Sequence, residues 1–187
     1  MEIEKKYRLS PENWDRVKSD LSEIGAEFIA EDFEENILFH NDFLEENKAL
    51  LRLRKTGRGS KLTFKQFVSS TGGVKQHVEH ESEVENPEEI ERIVESLGFE
   101  KRMVYEKRRL IWKFKEVEIV LDELPFGLYM EIEGALMAIA EAELYLGAED
   151  FETEEKTYPA LTKNLGERAG RMIEARFGNK DDLTQNN

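Results

Sequence analysis

The chain has 187 residues, enough for one domain with a sizeable core. Its 41 acids outnumber its 27 bases, and a formal charge of -14 repels nucleic-acid phosphates and anionic membranes, so neither is an expected partner. There is no cysteine and only His40, His77 and His80, which excludes disulfides, thiolate catalysis and cysteine-bound zinc and leaves carboxylates to hold any metal, hence a hard cation such as Mg²⁺ or Mn²⁺.

Residues 2–9 alternate and are rich in charge, which predicts a strand. Ser10-Pro11-Glu12 then reads as a helix start, with Ser10 as N-cap and Pro11 at the first helical position. Trp14, Val17, Leu21 and Ile24 follow at helical spacing, and Gly25 ends the run. Segments 33–40, 49–56, 61–68 and 74–84 alternate as strands, with turns at Arg58-Gly59 and Gly72-Gly73. Asn86-Pro87 opens a second helix, which carries Ile90, Ile93, Val94 and Leu97 and stops at Gly98. Three more strands are expected over 103–114, 116–122 and 128–134, and helices over 136–146 and 159–177. The expectation is a single domain over 1–178 followed by a polar tail, 179–187. No stretch approaches a transmembrane helix, and Met1 to Ser10 carry no apolar run, so a cytoplasmic location is expected.

The charges on these strands are sorted. Alternate residues of a strand share a face. Glu2, Glu4 and Lys6 therefore point one way. So do Arg52 with Arg54, Thr63 with Lys65, Glu79 with Glu81 and Glu83, Lys107 with Arg109, and Glu131 with Glu133. The opposite faces carry Ile3, Tyr7 and Leu9, Leu51 and Leu53, Leu62 and Phe64, and Met130 and Ile132. Taken strand by strand, this is an ordinary solvated face. As a set it differs, because acids concentrate on some strands and bases on others, and like charges on one face repel. A bound ligand with both cations and anions would offset that repulsion: carboxylate pairs suit divalent metals, and lysine and arginine pairs suit phosphate oxygens. Closing the sheet into a barrel would gather the charges inside it.

Six ordered motifs resemble the CYTH family, the triphosphate tunnel metalloenzymes. They are Glu2-Ile3-Glu4-Lys5-Lys6, Leu51-Arg52-Leu53-Arg54, Leu62-Thr63-Phe64-Lys65, Glu79-His80-Glu81, Lys107-Arg108-Arg109, and Leu121-Asp122 followed by Glu131-Ile132-Glu133, with a fainter echo at Lys156-Thr157-Tyr158. The resemblance covers residues 2 to about 134 and is nearest the class IV adenylyl cyclase branch. It departs from that branch where Lys75, Gln76 and His77 occupy a neighbourhood that often holds arginine. It implies an α+β, mainly β fold: a closed eight-stranded antiparallel barrel, or tunnel, with surrounding helices. It implies an enzyme that acts on a small-molecule triphosphate with Mg²⁺ or Mn²⁺, converting ATP to cyclic AMP and pyrophosphate or hydrolysing tripolyphosphate, thiamine triphosphate or a nucleoside triphosphate. Glu2, Glu4, Glu131 and Glu133 would be catalytic, and these with Glu79, Glu81 and Asp122 would be metal ligands. Lys6, Arg52, Arg54, Lys65, Lys107 and Arg109 would grip the phosphates. A non-catalytic polyphosphate- or nucleotide-binding module is the reading from another class, and assembly into a homodimer is left open.

Overall fold

Alternation in the first strand decides what the rest of its sheet can do. The computed structural model describes residues 3–71 and 74–178, and side chains outside 68–71 and 74–77. Glu2, the Gly72-Gly73 turn and the tail 179–187 lie outside the described residues, as do the side chains of Lys75, Gln76 and His77. In chain order the elements are β1 (Ile3–Leu9), α1 (Pro11–Glu23), β2 (Glu27–His40), α2 (Asp42–Glu46), β3 (Ala49–Thr56), β4 (Gly59–Thr71), β5 (Val74–Val84), α3 (Pro87–Ser96), β6 (Glu100–Phe114), β7 (Val117–Leu124), β8 (Gly127–Gly134), α4 (Leu136–Tyr145), α5 (Tyr158–Leu165), β9 (Glu167–Ala169) and β10 (Met172–Ala175). No helix of the described residues is long and apolar enough to cross a membrane.

The chain divides into two compact units, residues 1–33 with 107–158 and residues 34–106 with 159–187. In the first, β1, β8, β7 and β6 are hydrogen-bonded in that order, each pair antiparallel. Tyr7, Leu9, Ile119, Leu121, Met130, Ile132 and Trp112 share the apolar face and build one core with Val17 and Leu21 of α1 and Ile139 and Ala142 of α4. Burying each large apolar side chain contributes roughly 1.5–3 kcal/mol, which commits this face to the helices and leaves the opposite face for polar chemistry. The helix start is as the sequence predicts: Ser10 Oγ accepts from Asn13 N at 3.1 Å, with Pro11 in the first turn.

In the second unit β2, β3, β4 and β5 are antiparallel neighbours. Their apolar face carries Ile37, Phe39 and Leu53, packed with Val94 of α3 and Val104 of β6. Asn86 caps α3, its Oδ1 accepting from Glu89 N at 3.1 Å.

The mainly β, mainly antiparallel class with helices agrees with the sequence reading; the short helix α2 was not expected, and the C-terminal segment differs. The described residues form ten strands rather than eight, because the stretch expected as a helix over 159–177 is α5 followed by β9 and β10. Gly166 lets the chain leave α5: a Cβ there would lie 2.7 Å from Thr162 O and 2.8 Å from Glu174 O. Gly170, at φ +64°, turns β9 back into β10. β10 pairs with β6 in parallel. Arg176, just beyond it, reaches Glu35 at 2.6 Å and Glu106 at 2.8 Å.

Candidate functional site

The register of the first unit sets its charged face in rows. Glu4 stands opposite Glu133, Lys6 opposite Glu131, and Asp122 opposite Arg109. Glu118 extends the first row, opposite Glu133 on the other side. The strand order thus brings β1, β8, β7 and β6 together in one continuous polar network.

Asp122 is its most enclosed member, with no exposed surface. It accepts from Arg109 Nε at 2.7 Å and Arg109 Nη2 at 2.5 Å, from Tyr158 Oη at 2.7 Å and from Lys107 Nζ at 3.4 Å. Burial alone would raise its pKa, but the charges of Arg109 and Lys107 outweigh it and hold the carboxyl well below the usual carboxylate range. Four donor contacts occupy most of the acceptor capacity of one carboxylate. Arg109 also donates from Nη2 to Glu131 at 2.7 Å, and Lys6 lies 3.2 Å from Glu131 and 3.5 Å from Glu4. The Tyr158 ring packs between cations, 4.3 Å from Lys6 Nζ and 5.2 Å from Lys107 Nζ. Its hydroxyl is pushed well above the ordinary phenol range by burial and by Asp122 and Glu131, so it stays a donor. The segment that carries it is tied to β1, where Glu154 N donates to Lys6 O at 2.9 Å and Arg8 N to Glu152 O at 2.8 Å.

Glu4 behaves in the opposite way to Asp122. Burial and the Glu131 charge raise its pKa, and they outweigh Lys6. Glu4 and Glu131 are neighbouring carboxylates that share Lys6, at 3.5 Å and 3.2 Å. Among the described residues no three acidic or imidazole groups are arranged as a ready metal site, because the acids are engaged by the bases beside them. The donor set nevertheless fits a hard divalent cation. It is all oxygen, and two mutually repelling carboxyls are what such an ion would relieve.

The second unit has its own charged face. Leu38, Arg52, Thr63 and Glu81 form one row across β2 to β5, and Asn36, Arg54, Lys61 and Glu83 form the next. Lys61 Nζ donates to Glu81 at 2.7 Å and Thr63 Oγ1 donates to it at 2.9 Å, so the Lys61 bond, against burial, lowers the Glu81 pKa. Lys65 pairs with Glu79 at 3.0 Å, but both are more than two-fifths exposed, so this contact stabilises little. Arg52 Nε is buried without a hydrogen-bond partner, a donor in need of an acceptor. Arg54 Nε donates to Asn36 Oδ1 at 3.3 Å and lies 3.4 Å from Glu34.

Among the residues the sequence singled out, the first unit brings together Glu4, Lys6, Lys107, Arg109, Asp122 and Glu131, with Glu133 in register beside Glu4. The second places Arg52, Arg54, Lys65, Glu79 and Glu81 on one face. Sequence reasoning missed Glu34 and Asn36, and gave Tyr158 no role. The available signal was that Glu34 and Asn36 share a strand face with Leu38, opposite the face of Ile37 and Phe39.

The CYTH domain model matches residues 1–168, and the chain belongs to that family. It is 28% identical over 151 residues to "Putative adenylate cyclase MJ0240" of Methanocaldococcus jannaschii, a match covering 78% of this chain and 83% of that one. The PH1012 protein of Pyrococcus horikoshii OT3 superposes with a TM-score of 0.70 at 27% identity, over 84% of this chain and 97% of that one. HpAC1 of Hippeastrum, named as an adenylyl cyclase and described as having a dominant triphosphatase activity, shares the fold with a TM-score of 0.67 at 20% identity, over 88% of this chain and 96% of that one.

Proposed function

We propose that this CYTH protein is a metal-dependent enzyme that acts on a triphosphate, with conversion of ATP to cyclic AMP and pyrophosphate as its reaction. The observation that carries the reading is the Glu4–Glu131 carboxyl pair set against Lys6 and Arg109, which offers sites for cation and polyanion side by side. A solvated face has no need to bury Lys6, Lys107, Asp122 and Glu131. The likeness to the Methanocaldococcus jannaschii protein supports the cyclase assignment.

Glu4, Glu131 and Glu133 would hold Mg²⁺ or Mn²⁺, together with Glu2. When bound, the ion supplies charge neutralisation at the phosphate oxygens and lowers the pKa of an attacking hydroxyl. Lys6, Lys107 and Arg109 grip phosphate oxygens, and Arg52, Arg54 and Lys65 supply the same chemistry in the second unit. Asp122 holds Arg109 and Lys107 in place, and Tyr158 holds Asp122. In the cyclase reaction the ribose 3′-oxygen bonds to the α-phosphorus, the bond from that phosphorus to the bridging oxygen breaks, and pyrophosphate leaves with the electron pair. The hydroxyl proton goes to a neighbouring carboxylate or to solvent.

The same polar residues serve water as nucleophile, and the fold relative from Hippeastrum bears a triphosphatase description, so hydrolysis is the second reading. Incubation with ATP, thiamine triphosphate and tripolyphosphate, each with Mg²⁺ or Mn²⁺, separates them. Cyclic AMP with equimolar pyrophosphate supports the cyclase. Inorganic phosphate without cyclic AMP supports the hydrolase. Metal-independent turnover, or none with any substrate, overturns the proposal.

A further inference from the structure

Glu34 and Asn36 are a charge and an amide buried on the charged face of β2. Glu34 is 3% exposed and Asn36 not at all. Leaving such groups buried is unfavourable unless each finds partners, and here they find one another and Arg54. Asn36 stands directly opposite Arg54 in the β2–β3 register. Its Nδ2 donates to Glu34 Oε2 at 3.3 Å and its Oδ1 accepts from Arg54 Nε at 3.3 Å. Glu34 Oε2 lies 3.4 Å from the same Nε.

The atom that these two residues engage matters. A guanidinium presents two outer nitrogens to a phosphate, as a fork. A brace on Nε fixes the plane of that fork and leaves Nη1 and Nη2 as its working end. A brace on the Nη atoms would compete with the ligand instead. We infer that Glu34 and Asn36 are positioning residues, which act through Arg54 to aim its outer nitrogens at a triphosphate; this rests on the triphosphate reading above. Neither touches the phosphate. Each lowers the conformational freedom that Arg54 would otherwise lose on binding.

The contrast with Arg52 is informative. Arg52 is the neighbour of Arg54 on the same face of β3, and its buried Nε has no hydrogen-bond partner. The brace therefore belongs to Arg54 individually and is not a general property of arginines on this strand.

The test is a double-mutant cycle on the whole chain, with tripolyphosphate as probe and Mg²⁺ present, read by titration calorimetry. Asn36→Ala weakens binding by about tenfold, and Arg54→Ala weakens it at least as much. Adding Asn36→Ala to Arg54→Ala changes nothing further, because the amide has lost the group it acts through. Wild-type affinity in Asn36→Ala, or full additivity in the double variant, overturns the inference. Because Asn36 is fully buried, a second measurement stands apart from its folding: the ¹⁵N-detected exchange of the Arg54 Nε proton in the ligand-free wild-type protein. Slow exchange, accelerated by Glu34→Gln at an unchanged melting midpoint, is expected. Exchange as fast as that of a surface arginine overturns the brace even when tripolyphosphate binds. A protected Nε proton in a protein with no affinity for tripolyphosphate overturns the functional reading instead.

Discussion

Replacing Glu131 by glutamine should make the metal-free protein bind tripolyphosphate more tightly, although it removes a residue of the proposed site. Glu131 occupies both Lys6, at 3.2 Å, and Arg109, at 2.7 Å, in a setting only 8% exposed. A hydrogen bond to a charged group contributes roughly 1.5–3 kcal/mol, and a phosphate must displace these two before it gains its own. The amide keeps the shape and one acceptor oxygen but loses the charge, and Lys6 and Arg109 retain Glu4 and Asp122. About half of one such interaction, on the order of 1.4 kcal/mol, is therefore released, which corresponds to about tenfold in affinity. Calorimetric titration of tripolyphosphate in excess chelator, wild type against Glu131→Gln, measures it directly. With Mg²⁺ present the order should reverse, and turnover should fall by at least about tenfold, because an oxygen ligand has been lost. Equal or weaker metal-free binding in the variant would refute the reasoning, since it would mean that the acids do not hold the bases back from phosphate.

Asp122→Asn should lower unfolding stability by about 3–5 kcal/mol in urea titrations, because it removes the fully buried carboxylate shared by Arg109 and Lys107. In the wild-type protein the folded-state pKa of Asp122 lies below its unfolded value of about 3.9. Its contribution is therefore complete above that value and is lost as pH falls through the folded one, seen as an acid limb that Asp122→Asn lacks. Glu4 has the opposite sign. Its raised folded-state pKa means the native protein keeps that proton longer, so the stability linked to it is present below the unfolded pKa and lost as pH rises through the folded one. Mn²⁺ affinity should accordingly rise with pH through the raised Glu4 value and level off above it; a flat profile would exclude Glu4 as a ligand. Gly166→Ala should destabilise by about 1–3 kcal/mol, because its Cβ would meet two carbonyl oxygens below 3 Å, and thermal melts will show whether the chain yields there at lower expense.

How far the sequence carried this result depends on distance along the chain. Glu4, Lys6, Glu131 and Glu133 were legible because strand alternation is local, and a single motif fixes which side chains share a face. The partners across the sheet were not, since Lys6 opposite Glu131 is set by register between strands far apart in sequence. Asp122 was correctly placed on the charged face, but its four donor contacts come from β6 and from Tyr158, which no spacing rule connects. Glu34 and Asn36 sat within a strand that read only as alternating, and their significance appears only when Arg54 stands opposite. The C-terminal segment misled for a physical reason. Ala160, Leu161, Leu165 and Met172 suit a helix, while Gly166 and Gly170 break it, and the pairing of Ile173 with Met103 then decides for strand.

The division of β1 into two unlike faces has a consequence for folding. A slip of one residue against β8 would exchange every side chain of the strand between faces. Glu4, Lys6 and Arg8 would then enter the layer beneath α1 and α4, while Tyr7 and Leu9 would leave it. Burying even one unpaired charge there is far less favourable than the loss of a backbone hydrogen bond. The ligand-binding residues therefore also act as a key that admits one register of β1 and rejects its neighbours. Selection for the site is at the same time selection for the fold, and substitutions that make this face more apolar erode both.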